Sequence, residues 1–469
     1  MTAQAIKSTK ASFRFLHTDN AFLKGINLAI HPGECVLICG KSGSGKTTFS
    51  RLLNGLAPDY IEGELTGEVK TYNLSAGKNS IKDYVRVVGS VFQNPKTQHF
   101  TANTSSELAF PLENIGMSPE KISKKVTETA QKFHIEHLLD RDIFSLSGGE
   151  KQQIAMASAT ILDPQVLVLD EVSSNLDHEA ISRLQENIKQ KKADGTTIIL
   201  TEHRLAWTLG FVDRYILFDN GQVIKEWTNA EFRALSNNKL ADLGLRATDL
   251  SNKKQAIEKK RQIHQGFKND YLLHTENLTI GYKKATVQTN LEIGLDPHKI
   301  TGITGENGIG KTTLANTLTG LLKPLEGKIL WQEKLISAKE LRKKSFLVMQ
   351  NTNYQLFSDS VNEEVLLNAK YPEWKDQVLE QLNLSTLAKR HPMSLSDGQK
   401  QRVAIASALL SGKKLLIFDE PTSGLDYTNM QRFGKLLRML KQTDVIIAII
   451  THDVELAADW CDEIIALKQ

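Results

Sequence analysis

Gly40-Lys41-Ser42-Gly43-Ser44-Gly45-Lys46-Thr47-Thr48 and Gly305-Glu306-Asn307-Gly308-Ile309-Gly310-Lys311-Thr312-Thr313 are two versions of one stretch. Each follows an apolar run, Glu34 to Cys39 and Ile300 to Thr304, and leads into a helical pattern, Thr47 to Leu56 and Thr312 to Leu322. Glycines at these spacings let the backbone fold around an oxyanion with its N–H groups inward, and a helix N-terminus adds the positive end of its dipole. The stretch is therefore a phosphate cradle. Lys46 and Lys311 are expected to reach the outer phosphates, and the hydroxyls of Thr47 and Thr312 to ligand Mg²⁺. Gly40, Ser42, Gly43, Ser44, Gly45 and Thr48 complete the first binding loop, and Gly305, Asn307, Gly308, Gly310 and Thr313 the second.

Other features return in the same order. Val168-Leu169-Asp170-Glu171 reappears as Ile417-Phe418-Asp419-Glu420, and His203 as His452, both 249 positions on, whereas the cradle recurs 265 positions on. A duplicated domain, trimmed in loops and surface helices of its second copy, produces such a shrinking offset. The copies are expected at residues 1–236 and 271–469, with a basic linker over 237–270. Continuous apolar runs (Val166 to Leu169, Leu415 to Phe418, Thr197 to Leu200, Val445 to Ile450) read as buried parallel strands, whose C-terminal ends collect ligands. Asp170 and Asp419 then stand where they can hold Mg²⁺. Glu171 and Glu420, one residue on, can polarise an attacking water.

Composition adds bounds. A chain of 469 residues, 40% hydrophobic and 24% charged, reads as a globular protein of two or more domains. No apolar run reaches membrane-spanning length, and no secretory leader is legible, so a cytoplasmic location is expected. Cys35, Cys39 and Cys461 make no metal-ligand pattern and read as buried, reduced thiols. The net charge of +4 argues no polyanionic partner by itself. Lys253, Lys254, Lys259, Lys260, Arg261 and Lys268 outweigh Glu258 and Asp270 in one mid-chain segment, read as a solvated helix or hinge, with contact to anionic lipid or RNA as the other reading.

Leu146-Ser147-Gly148-Gly149-Glu150 and Leu395-Ser396-Asp397-Gly398-Gln399, each upstream of the acid-terminated strand, closely resemble the signature motif of ABC ATPases. By itself a Ser-Gly turn before a helix is a good N-cap. Further landmarks of that family match: Gln93 and Gln350 at its Q-loop, Ser174 to Asp177 and Ser423 to Asp426 at its D-loop, His203 and His452 as switch histidines. Phe15 and Tyr282 stand where the family stacks an aromatic on adenine. The resemblance implies an α/β fold of two tandem P-loop NTPase domains, each with a mostly parallel sheet core, an antiparallel β subdomain and a helical signature subdomain. It implies ATP and Mg²⁺ as ligands, with Glu171, Glu420, His203, His452, Gln93 and Gln350 in catalysis and Thr47, Asp170, Gln93, Thr312, Asp419 and Gln350 around the metal. It also implies a head-to-tail pairing within one chain, in which Ser396 and Gly398 complete the pocket of Lys46, and Ser147 and Gly149 that of Lys311. Asp397 departs from the family's glycine, and a carboxylate near the γ-phosphate is repulsive unless it points away, so two active sites of unequal rate are expected.

Phe92-Gln93-Asn94-Pro95-Lys96-Thr97-Gln98-His99-Phe100 and Met349-Gln350-Asn351-Thr352-Asn353-Tyr354-Gln355-Leu356-Phe357 look like the Gln-Asn-Pro-x-x-Gln-Leu-Phe pattern of energy-coupling factor (ECF) ATPases. That resemblance implies transmembrane T and S components as partners, a peripheral position on the cytoplasmic face of the membrane, uptake of a vitamin or transition-metal ion, and no nucleic-acid partner. Gln98 and Glu107 are expected on the coupling surface, and Glu363-Glu364-Val365 is only a trace of it in copy two. A ribosome-associated tandem ABC protein and the fused ATPase of a sugar importer are the alternatives.

Overall fold

Runs of Val, Ile and Leu with no polar face are stable as strands only when covered on both sides, and here they form two mostly parallel sheets. The computed structural model describes residues 4–16, 18, 20–93, 98–174, 176–261, 271–283 and 285–468. By contact it divides into Met1–Thr248 and Asp249–Gln469. The first unit's main sheet has the order Gln222–Thr228, Arg214–Asp219, Cys35–Gly40, Thr197–Thr201, Val166–Asp170, Val88–Val91. All neighbours are parallel except the Gln222–Thr228 edge. The second unit's sheet runs Ser345–Val348, Leu415–Asp419, Ile446–Ile450, Ile300–Thr304, Glu463–Ala466, parallel throughout. Asp170 lies opposite Thr201, and Asp419 opposite Ile450, so both acids emerge at the same sheet edge as the switch segments.

Each unit has its own antiparallel sheet, built on Ile6–Phe15 in the first and Leu273–Tyr282 in the second. The helix after each cradle packs between that sheet and the main one. Phe49, Leu52 and Leu53 share a core with Ile6, Phe13, Val36 and Ile38; Leu314, Ala315 and Leu318 do so with Leu273, Ile280 and Ile303. These two helices span Lys46–Leu53 and Lys311–Leu318, shorter than the expected Thr47 to Leu56 and Thr312 to Leu322. Gly55 (φ 75°) and Gly320 (φ 73°) are the reason: left-handed glycines end helices, and a Cβ would strike the Tyr84 ring at 2.5 Å or the Ala338 carbonyl oxygen at 2.3 Å.

The signature side of each unit is helical: Thr104–Asn114, Pro119–Lys132 and Gly148–Thr160 in the first, Val361–Leu366, Lys375–Gln381 and Asp397–Leu410 in the second. The first two helices shrink from 11 and 14 residues to 6 and 7. That trimming accounts for much of the changing offset between the copies. Among the described residues no helix is long and apolar enough to cross a membrane. Cys35, Cys39 and Cys461 are free and buried, and burial pushes the thiols of Cys39 and Cys461 up to about 12.

The segment read as a linker is shared out between the units. Leu240 and Leu245 are buried in the core of the first. Helix Ser251–Lys260 belongs to the second, with Ile257 packed on its core, Lys253 2.6 Å from Asp459, and Lys260 Nζ donating to the carbonyls of Ala458 and Cys461. Lys268 and Asp270 lie outside the described residues, as do Asn94 to Thr97 of the Q-loop pattern and Asn175 of the first D-loop. Charged hydrogen bonds of this kind contribute about 1–2 kcal/mol together. Replacing Lys253 and Lys260 together by Ala is therefore expected to raise amide exchange across residues 251–260 while leaving the main sheets protected. Unchanged exchange would show that these lysines do not hold the helix.

Candidate active site

The two cradles have nearly the same backbone. Gly40, Gly43 and Gly45 have φ of 143°, 80° and 106°, and Gly305, Gly308 and Gly310 have 153°, 80° and 105°. A Cβ on Gly40 would lie 2.1 Å from the Phe218 carbonyl oxygen, and one on Gly310 2.6 Å from Val287 Cγ1, so only glycine fits the wrap. Lys46 and Lys311 are buried and lie across their own loops. Lys46 Nζ donates to Gly40 and Lys41 carbonyls at 3.0 Å each, and Lys311 Nζ to Gly305 and Glu306 carbonyls at 2.8 and 2.7 Å. Ser44 Oγ is buried and has no hydrogen-bond partner among the described residues. A triphosphate fits this donor set, because its oxygens are stronger acceptors than carbonyls and would engage both the ammonium and the hydroxyl.

Thr47 Oγ1 donates to Asp170 Oδ1 at 3.1 Å, and Thr312 Oγ1 to Asp419 Oδ2 at 2.7 Å. A hydroxyl beside one carboxylate is the oxygen set that Mg²⁺ takes from a protein when phosphates and water supply the rest. Burial raises the carboxyls of Asp170 and Asp419 above the usual range; beside Asp170 the charge of Glu171 adds to this, while bonds from Thr201 and Thr47 oppose it. Thr201 Oγ1 also donates to Asp170, whereas Ile450 occupies that place in the second copy.

Glu171 and Glu420 are left-handed, with φ of 50° and 49°. A β-carbon-bearing residue there costs about 1–2 kcal/mol, and it recurs because the amide of each is held by the next strand, Glu171 N to Thr201 O and Glu420 N to Ile450 O, both at 2.9 Å. The turn drives both carboxylates toward the switch histidines. Glu171 Oε2 accepts from Gln93 Nε2 at 2.7 Å, and its Oε1 lies 3.2 Å from His203 Nε2. Glu420 Oε1 accepts from the backbone N–H of His452 at 3.1 Å, while His452 Nε2 meets Asn307 Oδ1 at 2.9 Å. Gln350 is exposed and makes no hydrogen bond among the described residues, so the two Q-loop glutamines differ in position.

Both signature serines cap helices. Ser147 and Glu150 exchange bonds in a capping box, as do Ser396 and Gln399. Gly149 makes a close approach, since a Cβ there would lie a tight 3.1 Å from Ala180 Cβ; at Gly398 the Gly424 carbonyl oxygen would lie at 3.4 Å. Asp397 opens its helix with Lys400 Nζ at 3.9 Å, so its charge meets both an ammonium and the helix N-terminus. Asp177 and Asp426 of the D-loops cap the following helices. Phe15 packs edge-on against Phe13 and Phe22, and Tyr282 is half exposed at the end of its strand.

Gln98 and Glu107, expected to face a partner, instead face inward. Gln98 Oε1 accepts from Phe92 N at 2.9 Å and its Nε2 donates to Ser90 O at 2.9 Å; Glu107 Oε2 accepts from Phe100 N and Thr101 N at 3.0 and 2.9 Å. They brace the loop from within. Copy two repeats the brace: Gln355 bonds Met349 N and Leu347 O at 2.8 and 2.6 Å, and Glu364 bonds Phe357 N and Ser358 N at 2.7 and 2.8 Å. Glu364 thus takes in copy two the place that Glu107 holds in copy one. Glu202, which the sequence reading passed over, is buried beside His203 and bonded to Ser173. Its only signal in sequence was a carboxylate adjoining the switch histidine.

The ABC transporter family model matches residues 23–174 and 288–423. A Treponema denticola protein assigned to the ABC transporter ATP-binding proteins is 40% identical over 460 residues, covering 97% of this chain and 94% of its own length. A second protein of that organism with the same assignment is 37% identical, covering 99% and 95%. An archaeal ribosome recycling factor, solved with the ribosomal stalk protein aP1, superposes with a TM-score of 0.63 at 22% identity over 97% of this chain and 87% of that one, a likeness of fold. With two phosphate cradles, two strand-end acid pairs and these relatives, the chain belongs to the ABC transporter family of ATP-binding proteins and is an ATP hydrolase that takes ATP with Mg²⁺.

Proposed function

We propose that this ATPase energises a membrane importer of the ECF type, taking up a vitamin or a transition-metal ion, and that it works from the cytoplasmic face of the membrane through T and S components. One observation carries the reading. Each unit presents an apolar trio at corresponding places: Phe100 (77% exposed), Phe110 and Phe144 (77%) in the first, Phe357 (75%), Leu367 (55%) and Met393 (44%) in the second. Phe100 stacks on Phe110 with centroids 5.1 Å apart. Phe144 is brought alongside because Ile143 N donates to Ala102 O at 2.8 Å. Exposed aromatic clusters next to a hydrolytic site fit a docked apolar partner segment. The brace of Gln98 and Glu107 links Phe100 to the strand carrying the Q-loop, which gives a path from nucleotide to partner.

In this reading Glu171 and Glu420 orient and deprotonate water, Lys46 and Lys311 with the loop N–H groups offset charge on the transferring phosphoryl group, and His203 and His452 contact that group. Mg²⁺, when bound at Thr47 and Asp170 or at Thr312 and Asp419, would neutralise phosphate charge. Closing on ATP and opening after hydrolysis is the work stroke. The ribosomal alternative calls for a basic linker free to meet RNA, and the engagement of Lys253 and Lys260 with the second unit weighs against it.

Two outcomes test this. E171Q and E420Q are each expected to lower steady-state ATP turnover, by unequal factors, and the double variant to lose roughly 100-fold or more. Equal single losses would remove the asymmetry, and an active double variant the catalytic assignment. F100D with F357D is expected to keep basal ATPase activity but lose small membrane proteins from pulldowns of detergent-solubilised membranes. Retained membrane partners, or ribosomal proteins recovered in their place, would overturn the importer reading.

A further inference from the structure

The turn after each strand-end glutamate carries a hydroxyl two residues on, Ser173 after Glu171 and Thr422 after Glu420. Both are buried and both bond a carboxylate from the switch segment. In the second copy the carboxylate is Asp453, one residue after His452: Thr422 Oγ1 donates to Asp453 Oδ2 at 2.8 Å. In the first copy the residue after its histidine is Arg204, and the carboxylate comes from the other side. Glu202, one residue before His203, accepts from Ser173 N at 2.9 Å and meets Ser173 Oγ at 2.7 Å. Thr451 occupies the place of Glu202 in copy two.

We propose that Glu202 is a positioning residue for the first hydrolytic site, fastening the segment of His203 to the turn of Glu171 as Asp453 fastens the corresponding pair in the second. The contact pattern is conserved between the copies while the residue that makes it has changed sides, which a side chain present only to fill space would not require. Glutamate suits the exchange because its extra methylene lengthens the reach to Ser173. Burial raises its carboxyl to about 8, Glu171 adding to the rise and the Ser173 bonds and Arg204 opposing it. With its carboxyl pushed up to about 8 Glu202 is largely neutral near pH 7, and its oxygens accept from Ser173, Oε1 from the N–H and Oε2 from the hydroxyl. No second full negative charge is then set against Glu171.

This inference rests on Glu171 and His203 acting in hydrolysis, and its failure is distinguishable from theirs, because an E171Q chain with full turnover would remove that assignment whatever Glu202 does. The test uses the full-length chain. E202Q, which copies the neutral side chain, is expected to keep turnover within about twofold of the parent. E202T, the copy-two residue, is expected to lower kcat roughly threefold or more with the KM for ATP within about twofold, because geometry at the reacting group is lost while the cradle stays intact. E202T with R204D rebuilds the Thr-His-Asp order of copy two and is expected to recover most of the lost kcat. Parent-like turnover in E202T, or a loss that E202Q shares and R204D does not recover, would overturn the proposal.

Discussion

Two carboxylates in succession at the end of a buried strand are the constraint around which the rest of each site is arranged. Asp170 and Glu171 are both largely removed from water, as are Asp419 and Glu420. Adjacent buried acids repel and resist ionisation, so they must be separated in direction and supplied with donors. The left-handed turn at Glu171 and Glu420 does the first: the aspartate keeps the strand's course toward Thr47 or Thr312, and the glutamate swings toward the switch histidine. Donors from Gln93, Thr201 and His203 in one copy, and from the amide of His452 in the other, do the second.

Much of this was legible before any coordinates. Glycine spacing around Lys46 and Lys311 encodes a backbone that only glycine can adopt, and apolar runs ending in Asp-Glu admit one placement in a parallel sheet. Less was legible where meaning depends on what lies across space. Gly55 and Gly320 fell within the helices expected from the sequence, yet both are left-handed and end them, and the Tyr84 ring and the Ala338 carbonyl leave no room for a Cβ there. Gln98, in the loop after the Q-loop strand, and Glu107, in the first turn of helix Thr104–Asn114, were expected to face a partner because of the resemblance to the ECF pattern. Their oxygens are consumed by backbone N–H groups, so they shape the surface without belonging to it. The apolar trio was hidden in copy two because Leu367 and Met393 replace aromatics, and only equivalent positions in the fold reveal the match.

The copies share a backbone and differ in the hydrogen bonds laid over it. Gln93 touches Glu171 while Gln350 faces solvent; Thr201 bonds Asp170 where Ile450 cannot; His203 Nε2 lies 3.2 Å from Glu171, while His452 Nε2 lies 3.7 Å from Glu420 and also meets Asn307. Each substitution keeps the position of the acid pair and alters how tightly the groups beside it are held. Such changes lie outside the cradle backbone, which the two copies share, and fall on the groups beside the acid pair.

The linker helix bears on the second site through one short element. Helix Val454–Trp460 begins at Asp453, beside the switch histidine, and ends under helix Ser251–Lys260. Asp453 bonds Thr422 at one end, and Lys260 holds the carbonyls of Ala458 and Cys461 at the other, a favourable place for a cation. The seven-residue helix is therefore held at both ends. The first copy's switch is followed instead by the short turn Ala206–Thr208. The switch segment of the second copy is thus tied through Val454–Trp460 to helix Ser251–Lys260, an attachment that the described residues do not repeat after His203.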